Sequence, residues 1–199
     1  MLKPPADFPI RGAKQNNRQY VRIIGGQWRS RRLSFPDANG LRPTLGRTRE
    51  TLFNWLRPYL HDSTCLDLFA GSGALGFEAA SIGAKQVTFV DSNRAIVAAL
   101  TDNIALLDAD NCEAVHCRAE KFLDSALSPY DIVFLDPPYS QPKLMENALR
   151  ALTTGNLIGG YVYLEAQHQQ SLLGLCERFN LTVRKTTKAG TTCSVLATC

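Results

Sequence analysis

The chain has 199 residues, 45% of them apolar and 20% charged, which suits one globular domain with an appendage. Its apolar runs are too short to cross a bilayer, and Met1-Leu-Lys-Pro-Pro5 lacks the apolar core of a signal peptide, so a cytoplasmic protein is expected. The net charge of +4 hides an asymmetry: residues 1–49 carry eleven Lys/Arg against Asp7 and Asp37, a net of +9, and the remainder is net −5. A basic arm on a mildly acidic body points to a polyanionic partner, with nucleic acid the leading candidate.

Residues 1–19 are basic and aperiodic, with three prolines, and read as a mobile arm. Residues 20–46 form a second unit. In it Val21–Ile24 reads as a strand, Gly25-Gly26 as a turn and Gln27–Leu33 as a returning strand. Such a hairpin would present Arg22, Arg29, Arg31 and Arg32 beside Trp28, a pattern suited to phosphate contact with base stacking. The plainer alternative packs Trp28 on the body and leaves the arginines solvated. Arg42, Thr44, Arg47 and Arg49 then crowd the entrance of a helix predicted over residues 47–56, with Pro58 marking its end.

Residues 47–199 alternate strand and helix. Cys65–Phe69 is the first strand and Ala70-Gly-Ser-Gly-Ala-Leu-Gly76 a glycine loop opening a helix that Gly83 ends. Gln86–Asp91, Cys112–Cys117 and Asp131–Leu135 are further strands, with helices over residues 93–107 and 121–127 between them. A helix over residues 142–152 follows, then a strand at Tyr161–Glu165 and a helix over residues 169–179. Strands at Leu181–Thr187 and Thr192–Ala197 close the chain around a turn at Lys188-Ala-Gly190. The expected fold is an α/β, Rossmann-like, mostly parallel seven-stranded sheet with one antiparallel strand, plus the small N-terminal hairpin. The six cysteines form no Cys-x-x-Cys pair, and no His stands at ligand spacing from two of them, so free thiols rather than a metal site are expected.

Two stretches carry chemistry. Gly71-Ser-Gly-Ala-Leu-Gly76 fits the G-x-G-x-x-G fingerprint, and Asp91 follows twenty residues after Gly71. Glycines let the backbone approach a ligand, and a carboxylate after the second strand bonds ribose hydroxyls. On that evidence a nicotinamide cofactor is a fair rival. Asp67 argues against it, because a carboxylate beside the loop repels a pyrophosphate but tolerates a cationic sulfonium or ammonium. Asp67 either faces that cation or caps N–H groups of the loop. The second stretch is Asp136-Pro-Pro-Tyr139. Two prolines stop the strand before them, so a rigid turn presents a carboxylate and an aromatic ring at the carboxyl edge of the sheet. Asp136 and the Pro137 carbonyl can accept N–H bonds from a planar amine while Tyr139 stacks on its face.

Asp136-Pro-Pro-Tyr139 resembles the Asn/Asp-Pro-Pro-Tyr/Phe signature of S-adenosylmethionine-dependent amino-methyltransferases. Asp67-Leu-Phe-Ala-Gly-Ser-Gly-Ala-Leu-Gly-Phe-Glu78 resembles the glycine-loop motif of class I methyltransferases. That resemblance implies that Gly71 and Gly73 approach the cofactor, that Asp91 takes its ribose and that Glu78 is structural. The family's usual acid near the adenine is replaced by Arg118, leaving the Ala119 backbone N–H, with Glu120 adjacent. Arg22–Leu33, Leu41-Arg-Pro-Thr44 and Arg49-Glu-Thr-Leu-Phe-Asn-Trp-Leu56 further resemble the RsmD family, which methylates N2 of a guanine in bacterial small-subunit (16S) ribosomal RNA. The resemblance covers nearly the whole chain from Val21 and implies that Arg42 and Thr44 help close the cofactor pocket. Thr192-Cys-Ser-Val195 departs from the family's pattern. The expected cofactor is S-adenosylmethionine, with no metal. The expected partner is 16S ribosomal RNA, free or in an assembling small subunit, met by a monomer. Rival readings are an adenine N6-methyltransferase, a non-catalytic RNA-binding assembly factor and a nicotinamide oxidoreductase.

Overall fold

A computed structural model describes residues 18–36 and 46–199. Strands β1 (Arg18–Arg22) and β2 (Arg32–Pro36) form an antiparallel hairpin. Helix α1 (Gly46–Leu60) leads into β3 (Thr64–Asp67), α2 (Ala74–Ile82), β4 (Gln86–Asp91), α3 (Arg94–Leu107) and β5 (Cys112–His116). Then follow α4 (Ala119–Ser125), β6 (Tyr130–Leu135), α5 (Pro142–Thr154), β7 (Ile158–Ala166), α6 (Gln169–Arg178), β8 (Thr182–Ala189) and β9 (Thr192–Thr198).

The large sheet has the order β5-β4-β3-β6-β7-β9-β8. The pairs β3–β4, β4–β5, β3–β6 and β6–β7 are parallel, and β9 alone runs against its neighbours β7 and β8. This is the expected sheet. After β5 the chain returns to the other side of β3, so the connections diverge between β3 and β6. In open α/β sheets the ligand crevice lies at that switch point, beyond the strands' carboxyl ends.

Strand periodicity explains the two-layered core. Ile132 and Phe134 join one cluster with Leu52 and Leu56 of α1, Phe77 of α2 and Leu100 of α3. Val133 and Leu135, pointing the other way, join Leu123 of α4, Leu149 of α5 and Leu172 of α6. These four side chains of β6 are fully buried, each contributing about 1.5–3 kcal/mol. That makes the segment immediately before Asp136 one of the firmest supports in the molecule.

The N-terminal hairpin differs from its predicted shape. The strands pair with Val21 opposite Leu33 and Arg22 opposite Arg32, and residues 23–31 form a wider loop, so Ile23, Ile24 and residues 27–31 are not strand as expected. The reason is a clamp supplied by α2. Glu78 accepts the N–H groups of Ile24 (2.9 Å) and Gly25 (2.5 Å), and the Ser81 hydroxyl and carbonyl accept those of Trp28 (2.9 Å) and Gln27 (2.8 Å). Arg49 completes the seat, bonding the Arg22 carbonyl at 3.0 Å and pairing with Glu78 at 3.8 Å. Glu78 is therefore structural, as its motif implies. Gly26 has φ 74°, and a β-carbon there would lie 1.9 Å from the Ser81 carbonyl oxygen.

Two helix boundaries also differ. Pro58 does not end α1, which runs on to Leu60. A proline near a helix's end forfeits one backbone bond, and the fully buried Leu60 anchors the final turn. Helix α4 starts at Ala119 and ends at Ser125, two residues earlier than its apolar spacing suggests. All six cysteines are free thiols, with Cys65, Cys176 and Cys193 buried. No helix among the described residues is long and apolar enough to cross a membrane.

Candidate active site

The residues after β3, β4, β5, β6 and β7 meet in one cleft of about 890 Å³ at the carboxyl edge of the sheet. Its lining includes Asp67–Ser72, Asp91–Asn93, Cys117–Glu120, Asp136–Gln141, Glu165 and Thr191-Thr192. Of the sequence-predicted site residues, Asp67, Gly71, Asp91, Ala119, Asp136, Pro137 and Tyr139 converge there. Arg42 and Thr44 lie outside the described residues, as do residues 1–17 of the basic arm.

The glycine loop is held by carboxylates on both sides. Asp91, at the end of β4, accepts the Gly71 N–H at 3.0 Å through one oxygen and the Asn93 N–H at 2.8 Å through the other. Asn93 in turn caps α3 by accepting from the Ala95 N–H. Gly71 has φ 51°, the left-handed geometry that favours glycine. Gly73 has a packing role as well. It is absent from the cleft lining, its φ is 73°, and a β-carbon there would meet Leu100 and Phe77 at 2.6 Å. Its glycine serves the turn and the helix packing behind the loop.

Asp67 ends β3 with 2% of its surface exposed, and it accepts the Gly76 N–H at 2.9 Å while lining the cleft. It thus caps a backbone N–H of α2, one of the two roles open to it in sequence. Burial pushes its carboxyl up to about 7, opposed by the Gly76 bond and reinforced by nearby Asp91. The folded protein therefore holds a proton that the unfolded chain releases near the ordinary aspartate value of about 4. The stability this contributes is fully present below that value and is lost as pH rises through 7. Relative to Asp67→Asn, the wild-type protein should lose stability between pH 4 and 7, by about 1.4 kcal/mol per unit of displacement. Urea midpoints across that range should diverge accordingly; parallel profiles would mean that Asp67 is ionised in the folded protein.

Opposite the loop, Asp136 is half-buried at the end of β6 and Pro137 is buried. Tyr139 is half-buried, and its hydroxyl donates to Glu165 at 3.1 Å and lies 3.3 Å from the Thr192 hydroxyl. Burial first, then the Glu165 and Asp136 carboxylates, raise the Tyr139 phenol well above its ordinary range, so it remains an O–H donor at working pH. Glu165 was not singled out in sequence, and Thr192 only as the start of a stretch that departs from the family's pattern. Glu165 reads as the last residue of a strand, and its link to Tyr139 becomes visible only when β7 is set beside β6 and β9. On the third side of the cleft, Arg118 precedes α4, and the buried Ala119 and half-buried Glu120 face the same space.

The candidate RNA-binding residues stand apart from this cleft. Arg22, Arg29, Arg31 and Arg32 are exposed, as expected. Arg31 also bonds the Leu106 carbonyl at 3.1 Å, and the Arg32 guanidinium stacks 4.6 Å over the Tyr20 ring. Trp28 is half-buried against the core below the hairpin, the plainer of its two readings. The loop carrying Trp28 and Arg29 seats on Ser81, in the last turn of α2, whereas the glycine loop precedes its first turn. The seat of that loop therefore lies about a helix length, roughly 13 Å, from the glycine loop.

A mostly parallel seven-stranded sheet, with one antiparallel strand and a glycine loop facing an Asp-Pro-Pro-Tyr turn across its switch point, defines a class I methyltransferase. A solved Escherichia coli structure described as a candidate methyltransferase, yhhF, superposes with a TM-score of 0.79 at 37% identity, covering 90% of this chain and 98% of that one. The Ribosomal RNA small subunit methyltransferase D of Escherichia coli K12 is 45% identical over 154 residues, 76% of this chain and 77% of that protein. The protein of the same name from Haemophilus influenzae is 40% identical over 178 residues, 86% and 91% of the two chains. The family model described as Conserved hypothetical protein 95 matches residues 21–197. The chain belongs to the RsmD family of methyltransferases.

Proposed function

We propose that this protein transfers a methyl group from S-adenosylmethionine to the exocyclic N2 amine of a guanine in small-subunit (16S) ribosomal RNA. The observation that carries the reading is the meeting, in one cleft, of the Gly71 loop with Asp91 and the Asp136-Pro137-Pro138-Tyr139 turn. The names of the relatives supply the RNA. The cleft's volume is within the range of small-molecule sites. A cationic sulfonium suits the Asp91 carboxylate beside the loop, whereas a pyrophosphate would meet repulsion there. S-adenosylmethionine supplies an already activated methyl group, so the chain's task is positioning and electrostatics.

Asp91 would bond the ribose hydroxyls and the Ala119 N–H the adenine, with Glu120 beside it. The guanine N2 lone pair is delocalised into the ring, which makes it a weak nucleophile. Asp136 and the Pro137 carbonyl would accept its two N–H bonds and localise that lone pair toward the methyl group. Tyr139 would stack on the base. A paired guanine must first be splayed out, at a cost of a few kcal/mol. Phosphate contacts from Arg22, Arg29, Arg31 and Arg32 would offset that cost. Trp28 anchors their hairpin in this scheme rather than stacking on a base.

Asp91→Ala should weaken S-adenosylhomocysteine binding by about 1–3 kcal/mol, the scale of a lost charge-assisted hydrogen bond. Isothermal calorimetry reads this directly, and unchanged affinity would remove Asp91 from the cofactor site. The function itself is tested by mass spectrometry of ribosomal RNA from cells lacking the protein. One N2-methylguanosine should disappear from small-subunit RNA and return when the wild-type chain is supplied. Unaltered methylation, or loss of a methylated adenine instead, would overturn the proposal.

A further inference from the structure

Glu165 is a carboxylate at 4% exposure with no basic partner among the described ion pairs. Burying such a group is costly unless hydrogen bonds replace its lost water. Two phenols supply them. Tyr163, fully buried, donates to one oxygen at 2.5 Å, and Tyr139 donates to the other at 3.1 Å. The two tyrosines are different in kind. Tyr163 shares β7 with Glu165 and is fixed further by Ser194 of β9 at 2.9 Å, so it is part of the frame. Tyr139 belongs to the turn after β6 and stands at the cleft wall.

The prolines fix the backbone just before Tyr139, but they leave its ring free to rotate about χ1 and χ2. A ring that stacks on a base must hold one place. The hydroxyl is the atom farthest from the backbone, and both of its partners, Glu165 and Thr192, lie on the paired strands β7 and β9 or at their ends. Holding that atom fixes χ1 and the direction of the ring, whereas rotation about χ2 leaves it where it is. We propose that Glu165 is a positioning residue: through its bond to the Tyr139 hydroxyl it fixes the place and direction of that ring against the rigid β7–β9 pair. This rests on the methyl-transfer reading above. It assigns Glu165 no contact with substrate, in keeping with its burial. It also explains why a carboxylate occupies a place where an apolar side chain would cost less.

Two changes test it. Tyr139→Phe removes one hydroxyl from a half-buried site and leaves the ring. Glu165→Met keeps the side chain's length and removes both oxygen acceptors, while Tyr163 retains Ser194. Each should lower kcat about tenfold or more while leaving the KM for S-adenosylmethionine within about twofold. The double variant should be no slower than the slower single, because both changes cut the same link. An additive double variant, or wild-type kcat in Tyr139→Phe, would overturn the assignment. A second readout needs no turnover. In the full chain carrying ¹³C-labelled tyrosine, with the Tyr139 signal identified by its loss in Tyr139→Phe, Glu165→Met should lower the order of the Tyr139 ring. An unchanged ring order would overturn the assignment even if the protein methylates RNA. Absence of wild-type turnover beside a loosened ring would instead sink the functional reading and leave the positioning link standing.

Discussion

Asp136→Ala is expected to abolish methyl transfer while leaving S-adenosylhomocysteine affinity near wild type. Asp136 stands across the cleft from the glycine loop, so its loss does not disturb the bonds that Asp91 and Asp67 make to that loop. RNA affinity should fall only modestly, because phosphate contacts dominate it. Losing a preorganised partner aimed at the reacting atoms costs on the order of 10²–10³ in rate, and Asp136 has the buried β6 strand to hold it in place. Asp136→Asn is the sharper variant. Its amide oxygen still accepts an N–H bond, so measurable activity in Asn and none in Ala would assign Asp136 to acceptance. Equal inactivity in both would assign it the proton. Single-turnover rates at saturating RNA and cofactor separate these outcomes from binding losses. Wild-type rates in Asp136→Ala would remove the residue from the mechanism.

Gly26→Ala should unseat the N-terminal hairpin. The added β-carbon meets a backbone oxygen, not a flexible side chain, at 1.9 Å, and the residue must hold φ 74°. The left-handed conformation costs about 1–2 kcal/mol, and an overpacked contact about 1–3 more. Together they lower stability by roughly 2–5 kcal/mol, or several degrees in Tm for a chain of this size. The damage should be local. Amide exchange across Arg18–Arg22 and Arg32–Pro36 should accelerate, RNA binding should weaken, and cofactor affinity should hold. Gly174→Ala is the contrast: that glycine lies within α6 with no atom near its added β-carbon, so the change should be neutral or stabilising by up to about 1 kcal/mol. A Gly26→Ala protein with wild-type Tm and protected hairpin amides would contradict the clamp.

The sheet was legible because its signals are local. Each parallel strand is a short apolar run, and the glycine loop and the two prolines punctuate the chain at the strands' carboxyl ends. Their convergence follows from topology alone, which is why Asp67, Gly71, Asp91, Ala119, Asp136, Pro137 and Tyr139 meet in one cleft. What the sequence hid depends on partners far along the chain. The hairpin loop takes its shape from Glu78 and Ser81, more than fifty residues away. Gly73 fits the fingerprint as well as Gly71, but only the fold reveals that a side chain there would collide with Leu100 and Phe77. Glu165 looked like a strand's last residue until the register of β7 on β9 set it beside Ser194 and the Tyr139 hydroxyl.

Methylation of a guanine amine in small-subunit ribosomal RNA by this cleft can be read directly from the labelled product. Purified protein should be incubated with methyl-labelled S-adenosylmethionine and small-subunit RNA, both naked and within assembled particles. The RNA is then digested and its labelled nucleosides separated. The labelled product should be N2-methylguanosine with at least one of the two substrates, and none should form with Asp136→Ala. Label in N6-methyladenosine, or no label from either substrate, would contradict it.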